Sequence, residues 1–207
     1  MPTNPASATR SRLPLAHWLA FARAWARDPL RTAAVSPSSP ALAARMVAQL
    51  PAHTHGDAGA VIELGAGTGV FTEALLQAGI APQRLLVIEL NRDLCRILRQ
   101  RFPHLRIECA DAGALPELAQ RHGIAPGSVP AIVSGLGLLS MPRPLVARVL
   151  EGCAHLLQPQ GRLVQFTYGP ASPVPRALCR QLGWRAQRCG MVWRNTPPAQ
   201  VFCFGSP

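Results

Sequence analysis

The sequence predicts an α/β domain: a doubly wound, mostly parallel sheet with helices on both faces. Three observations predict it. After residue 57, short apolar runs of strand length alternate with longer segments of helical periodicity. The turn Gly65-Ala66-Gly67-Thr68-Gly69 joins the first of these runs directly to a helix-like segment. The first two runs each carry a carboxylate at their end, Glu63 and Glu89. The 207 residues, 48% of them hydrophobic, suffice for one such core and not for two full domains.

The elements follow in order. Ser39 as cap and Pro40 in the first turn open a helix over 40–50, and a loop over 51–59 leads to a strand at 61–63. Beyond the glycines the periodicity predicts helices over 70–78, 92–101, 114–121 and 144–157, the last closed by a turn at Pro159-Gln160-Gly161. Strands are expected over 84–89, 105–109, 131–134 and 162–167. Two more, 185–193 and 200–204, form a terminal antiparallel hairpin with Trp193 turned to the core. Residues 1–13 read as a flexible N-terminus, 14–56 as a helical lid or membrane-binding segment, and 57–207 as the main domain. No window approaches 18 uninterrupted apolar residues, so no membrane span is expected.

Gly65, Gly67 and Gly69 supply turn conformations and a lack of side-chain bulk, which lets backbone approach a ligand. The dinucleotide fingerprint would need its third glycine at Val70, and no Lys-Ser/Thr follows to grip a phosphate. Glu63, two positions before the first glycine, suits an ammonium group better than a pyrophosphate. S-adenosylmethionine carries such a group on its methionine end. Glu89 lies 24 residues after Gly65, about where an α/β nucleotide site places an acid on ribose hydroxyls. Asp111, after the third strand, either accepts from an adenine amine or caps the segment that follows. Leu90 and Ala112, adjacent to these acids, are expected beside the same cofactor.

The 21 basic residues are all arginines, and the net charge is +11. Residues 1–56 carry six arginines against Asp28, residues 57–151 balance to zero, and residues 152–207 carry six arginines and no acid. Such polarity outside the cofactor half predicts a polyanionic partner, nucleic acid or an anionic bilayer. Between 15 and 27, helical spacing collects Leu15, Trp18, Leu19, Ala22, Trp25 and Ala26 on one face, with Phe21 at its edge and Arg23 and Arg27 on the flank. That pattern fits either an interfacial helix or an amphipathic helix docked on the domain. Arg23 and His17 interrupt it as a secretory signal. Cys95, Cys109, Cys153, Cys179, Cys189 and Cys203 are scattered, with no C-x-x-C and no His at ligand spacing. They read as thiols of a reducing compartment, and no metal site is expected.

Chemistry is expected at the carboxyl end of the fourth strand, where the chain reads Ser134-Gly135-Leu136-Gly137-Leu138-Leu139. A glycine turn there can aim backbone carbonyls at the hydrogens of an amine acceptor. No His or acid in this loop offers a base.

At this point the residues resemble a known family. The run from Pro29 to Ser38, the Glu63–Gly69 turn, Ser134-Gly135-Leu136 with Leu138-Leu139, Gln165-Phe166-Thr167-Tyr168-Gly169-Pro170, and the run from Val192 to Ala199 are together similar to bacterial phospholipid N-methyltransferases of the Rhodobacter-like phosphatidylethanolamine type. These are themselves similar to ribosomal RNA adenine dimethyltransferases. The resemblance spans roughly residue 18 to the C-terminus. It implies a Rossmann-like, seven-stranded class I methyltransferase sheet with N-terminal amphipathic helices. It also implies stepwise methylation of phosphatidylethanolamine toward phosphatidylcholine with S-adenosylmethionine, by a cytoplasmic enzyme peripheral to the anionic inner membrane. Cofactor roles carry over to Glu63, Gly65, Gly67, Gly69, Glu89, Asp111 and Ser134, and acceptor roles to Ser134, Gly135 and Leu136. Gly137 departs from the proline more usual there and leaves the loop freer.

Around the acceptor, Tyr168 either contacts the lipid phosphate or methylammonium, or packs under the terminal hairpin. Arg194 is the expected phosphate ligand, beside Asn195 in a turn, with Trp18, Phe21 and Arg23 as lipid contacts. Two other functions compete. In RNA adenine methylation the loop after strand four would carry a polar residue, a proline and a base-stacking aromatic, so nucleic acid is not expected here. A non-catalytic S-adenosylmethionine-binding protein would keep the carboxylates and glycines without an acceptor pocket.

Overall fold

The central strands β1 (Val61–Leu64), β2 (Leu85–Glu89) and β4 (Val129–Ser134) are buried along their whole length, which explains their near-continuous apolar sequences. With β3 (Arg106–Cys109), β5 (Leu157–Thr167), β6 (Arg185–Val192) and β7 (Ala199–Gly205) they form one seven-stranded sheet in the order β3-β2-β1-β4-β5-β7-β6. The pairs from β3 through β5 are parallel, and β7 runs antiparallel between β5 and β6. This is the expected sheet, terminal hairpin included. The computed structural model describes residues 38–55, 59–168 and 171–207. Trp18, Phe21, Arg23, most of the Pro29–Ser38 run and Gly169-Pro170 lie outside the described residues.

Among the described residues six α-helices cover the sheet: α1 (Pro40–Val47), α2 (Val70–Gln77), α3 (Arg92–Arg101), α4 (Leu115–Arg121), α5 (Arg143–Leu156) and α6 (Arg176–Gln181). Strand alternation divides the interior into two cores. Val61, Val87, Val133 and Val164 meet Leu42, Leu75 and Leu98 from α1 to α3. Ile62, Ile88, Ile132 and Leu163 meet Leu118, Val149 and Cys179 from α4 to α6. Local chemistry sets the helix starts. The Ser39 hydroxyl accepts from Leu42 N at 3.2 Å ahead of Pro40, and Asn91 Oδ1 accepts from Asp93 N and Leu94 N at 2.9 and 3.2 Å.

Two of these expectations need correction, and one helix has no counterpart among them. Trp193, expected in the core, is 76% exposed: β6 stops at Val192, which takes the inward position, so the alternation does not carry through. The turn expected at Pro159-Gln160-Gly161 lies within β5, whose pairing with β4 shifts register between Val129 and Ala131. There the bare Gly161 is required, because a Cβ would sit 2.8 Å from Val129 O. α6 was not expected at all; six residues with only Cys179 buried leave too little periodicity to read.

All six cysteines are free thiols. Sγ atoms of Cys189 and Cys203 lie 3.0 Å apart across β6 and β7. Among the described residues no His, Cys, Asp and Glu cluster could hold a metal, and no helix is long and apolar enough to cross a membrane.

Candidate active site

The strand order reverses between β1 and β4, and it is at the carboxyl ends flanking such a reversal that open α/β sheets hold their ligands. The glycine turn forms one wall. Gly65, Gly67 and Gly69 have φ of 68°, 57° and 88°, a region that other residues rarely adopt. Gly69 must also be bare, since a Cβ would meet the Phe102 ring at 2.7 Å.

Two carboxylates face this turn. Glu89, at the tip of β2 and 8% exposed, accepts from Gly67 N through Oε2 at 2.8 Å and from Asn91 N through Oε1 at 2.9 Å. Clamped by one backbone N–H on each oxygen, it keeps further lone pairs for incoming hydroxyl donors. Glu63 is fully buried on β1. Its Oε2 accepts from the Thr72 hydroxyl of α2 at 2.7 Å, while Oε1 has no partner. Burial pushes its carboxyl up from 4.5 to about 7, against the lowering effect of the Thr72 hydrogen bonds and with a small push from Glu89. A buried carboxylate lacking one donor is poised for a cation. Asp111 is exposed after β3, and its Oδ1 accepts from Gly113 N at 2.8 Å, the capping arrangement weighed as the alternative to adenine binding. Next to these acids, Ala112 is buried and Leu90 stands 68% exposed.

The loop after β4 forms the other wall, and backbone bonds tie it to the end of β1 and the glycine turn to β2. Gly135 N donates to Leu64 O at 2.7 Å, as Gly65 N does to Ile88 O at 2.8 Å. Leu136 N donates to the buried Ser134 hydroxyl at 3.3 Å, and Gln165 Nε2 of β5 donates to Leu136 O at 2.9 Å. The Ser134–Leu136 peptides are therefore fixed in orientation. A Cβ on Gly135 would lie 2.5 Å from Gly65 O. Gly135→Ala is accordingly expected to cost about 2 kcal/mol of stability and, by displacing Gly65, to lower both turnover and cofactor affinity, checked by chemical denaturation, steady-state rates and calorimetry.

A line of rings leads outward from this loop. Phe71 and Phe166 are 5.8 Å apart, and Phe166 and Tyr168 meet edge-on at 5.3 Å. Burial raises the Tyr168 phenol above its ordinary value, and a hydrogen bond with Asn195 partly offsets this. Tyr168 thus packs beneath the hairpin, one of its two expected placements, with its hydroxyl toward the β6–β7 turn. Arg194 is exposed in that turn. Asn195, expected as a lipid contact, is instead 2% exposed. Its Oδ1 accepts from Ser39 N at 2.9 Å and its Nδ2 donates to Pro197 O at 2.7 Å, so it is a staple between α1 and the turn. Thr72 and Gln165 were not anticipated as site residues. Their signal was present: each is a polar residue in an otherwise apolar buried run, Thr72 between Phe71 and Leu75 and Gln165 after Leu163 and Val164.

Comparison with known proteins agrees with this fold. Residues 61–161 match the family model described as a methyltransferase domain. An ornithine lipid N-methyltransferase from Singulisphaera acidiphila is 32% identical over 141 residues, 67% of this chain and 71% of that protein. A ribosomal RNA small subunit methyltransferase A from a Synechococcus species is 27% identical over 86% of this chain and 60% of its own length, so the chain spans about three fifths of that relative. Among solved structures, a TehB-like SAM-dependent methyltransferase from Corynebacterium glutamicum superposes with a TM-score of 0.57 at 20% identity, covering 93% of this chain and 99% of that one. The chain belongs to the class I S-adenosylmethionine-dependent methyltransferases. It is an enzyme, and its cofactor is S-adenosylmethionine. The residues present fit that molecule: the partnerless Glu63 oxygen suits its ammonium, and the clamped Glu89 suits its ribose diol.

Proposed function

We propose that this enzyme methylates the amine of a membrane lipid head group, phosphatidylethanolamine and its mono- and dimethyl forms, working from the cytoplasmic side of an anionic membrane. The observation that carries this reading is the loop after β4. From Ser134 to Leu139 it offers fixed peptides and aliphatic side chains and no aromatic ring on which a nucleobase could stack. The lipid N-methyltransferase relative supports the amine of a lipid as acceptor.

In this reading Glu63 holds the cofactor's ammonium, Glu89 its ribose and Asp111, through the oxygen not engaged by Gly113 N, its adenine, with Gly65, Gly67 and Gly69 allowing the close approach. Bound S-adenosylmethionine supplies an electrophilic methyl group on its sulfonium. The lipid amine arrives as an ammonium that titrates at about 10 in water and must shed a proton to solvent before attack. The Ser134–Leu136 peptides orient the resulting lone pair and disperse the positive charge that returns as the new bond forms. Arg194, in the exposed turn, receives the lipid phosphate, and Tyr168 supports that turn from beneath through its bond to Asn195.

The test is label transfer from methyl-labelled cofactor to three acceptors in parallel: phosphatidylethanolamine vesicles containing anionic lipid, ornithine lipid vesicles, and unmodified ribosomal RNA. The expected result is label in phosphatidylethanolamine, appearing first as the monomethyl form. Label in ornithine lipid alone keeps the acceptor class and overturns the head group. Label in RNA alone overturns the proposal.

A further inference from the structure

Among the described residues four large apolar side chains stand exposed: Leu90, Ile97, Leu139 and Trp193. Three of them follow the carboxyl ends of strands, Leu90 after β2, Leu139 beyond β4 and Trp193 directly after β6. β6 is antiparallel to β7, which is antiparallel to β5, so β6 runs with the parallel strands and ends on the same edge as the site. From β2 to β6 the sheet order spans five strand spacings, which spreads the three side chains along roughly 24 Å of one edge. Exposed apolar groups scattered singly need no explanation, but a row along the edge that opens to the active site does.

The turn at the end of this row is rigid and basic. Trp193 is 76% exposed, yet the chain on either side is anchored: Val192 is buried, and Asn195 is held by Ser39 N and by its own bond to Pro197 O. Trp193 therefore projects from a fixed platform with Arg194 beside it. The segment from residue 152 onward carries six arginines and no acid. A tryptophan paired with arginine in an acid-free segment matches the head-group region of an anionic bilayer, where the indole sits at the interface and the guanidinium meets phosphate.

We propose that this edge docks on an anionic lipid bilayer, with the Trp193-Arg194 turn at head-group depth and Leu139 and Leu90 along the same line of contact. The mouth of the active site then opens onto the membrane, and the amine reaches the Ser134–Leu136 loop without leaving the interface. The proposal rests on the amino-lipid reading above and assigns it an orientation.

The experiment separates docking from chemistry. Vesicles of phosphatidylglycerol and bromine-labelled phosphatidylcholine are added to the parent and to Trp193→Phe, and the difference in emission isolates Trp193. Quenching of that difference signal is expected. Trp193→Ala is expected to weaken vesicle co-sedimentation about tenfold, with S-adenosylhomocysteine affinity and methylation of a water-soluble short-chain phosphatidylethanolamine unchanged. An unquenched Trp193 together with unchanged co-sedimentation overturns the proposal and leaves the edge covered by the chain's own N-terminal residues or by another protein. Quenching with no label entering any lipid supports the docking edge and overturns the methylation reading alone.

Discussion

Glu89→Ala is expected to weaken S-adenosylhomocysteine binding about a thousandfold, a loss of about 4 kcal/mol, measured by titration calorimetry. The carboxylate acts twice. Its oxygens hold Gly67 N and Asn91 N at 2.8 and 2.9 Å, which fixes the glycine turn against the tip of β2 before any ligand arrives. Its further lone pairs then accept from the ribose diol, and hydrogen bonds to an ionised acceptor contribute about 1.5–3 kcal/mol each. Truncation removes both the anchor and the acceptor. Glu89→Gln keeps one oxygen and should fall between parent and alanine. A variant that bound as well as the parent would show that the ribose lies elsewhere.

Apo-enzyme stability is expected to fall as pH rises through about 7, and Glu63 is the cause. Its carboxyl titrates at about 7 in the folded chain against an ordinary 4.5, with burial as the dominant effect. Between those values the folded state binds more protons than the unfolded state, so this stabilisation is fully present below 4.5 and is lost as pH climbs past 7. The interval corresponds to about 3 kcal/mol. Glu63→Gln should remove this dependence, giving a flatter profile in denaturant melts. Cofactor affinity should show the opposite trend. An ammonium pairs with the ionised carboxylate, so binding tightens toward pH 7, releases a proton below it, and declines once the α-amino group titrates near 8. In Glu63→Gln the affinity should drop about thirtyfold and lose its acidic limb.

Much of this was legible in the residues because the relevant signals are local. The glycine turn needs positive φ at Gly65, Gly67 and Gly69, which few other residues supply, so its spacing announces it. β1, β2 and β4 are short buried runs with a polar residue at or near the site end, Glu63, Glu89 and Ser134, and the run and its terminus are read together. What escaped depends on relations across the fold. Asn195 looks like an exposed turn residue until Ser39, 156 positions earlier, is placed against it. Trp193 reads as core from its size, and its exposure follows only from where β6 stops pairing with β7. Gln165 becomes part of the site because β5 lies beside β4, which lets its amide reach Leu136 O.

The most direct measurement is a crystal structure of the enzyme with S-adenosylhomocysteine. The expected density lies across the carboxyl tips of β1 and β2, with both ribose hydroxyls within about 3 Å of Glu89, the ammonium on the side of Glu63, and the sulfur facing the Ser134–Leu136 loop. Ligand bound away from these carboxylates, or with its sulfur turned from that loop, would contradict the account.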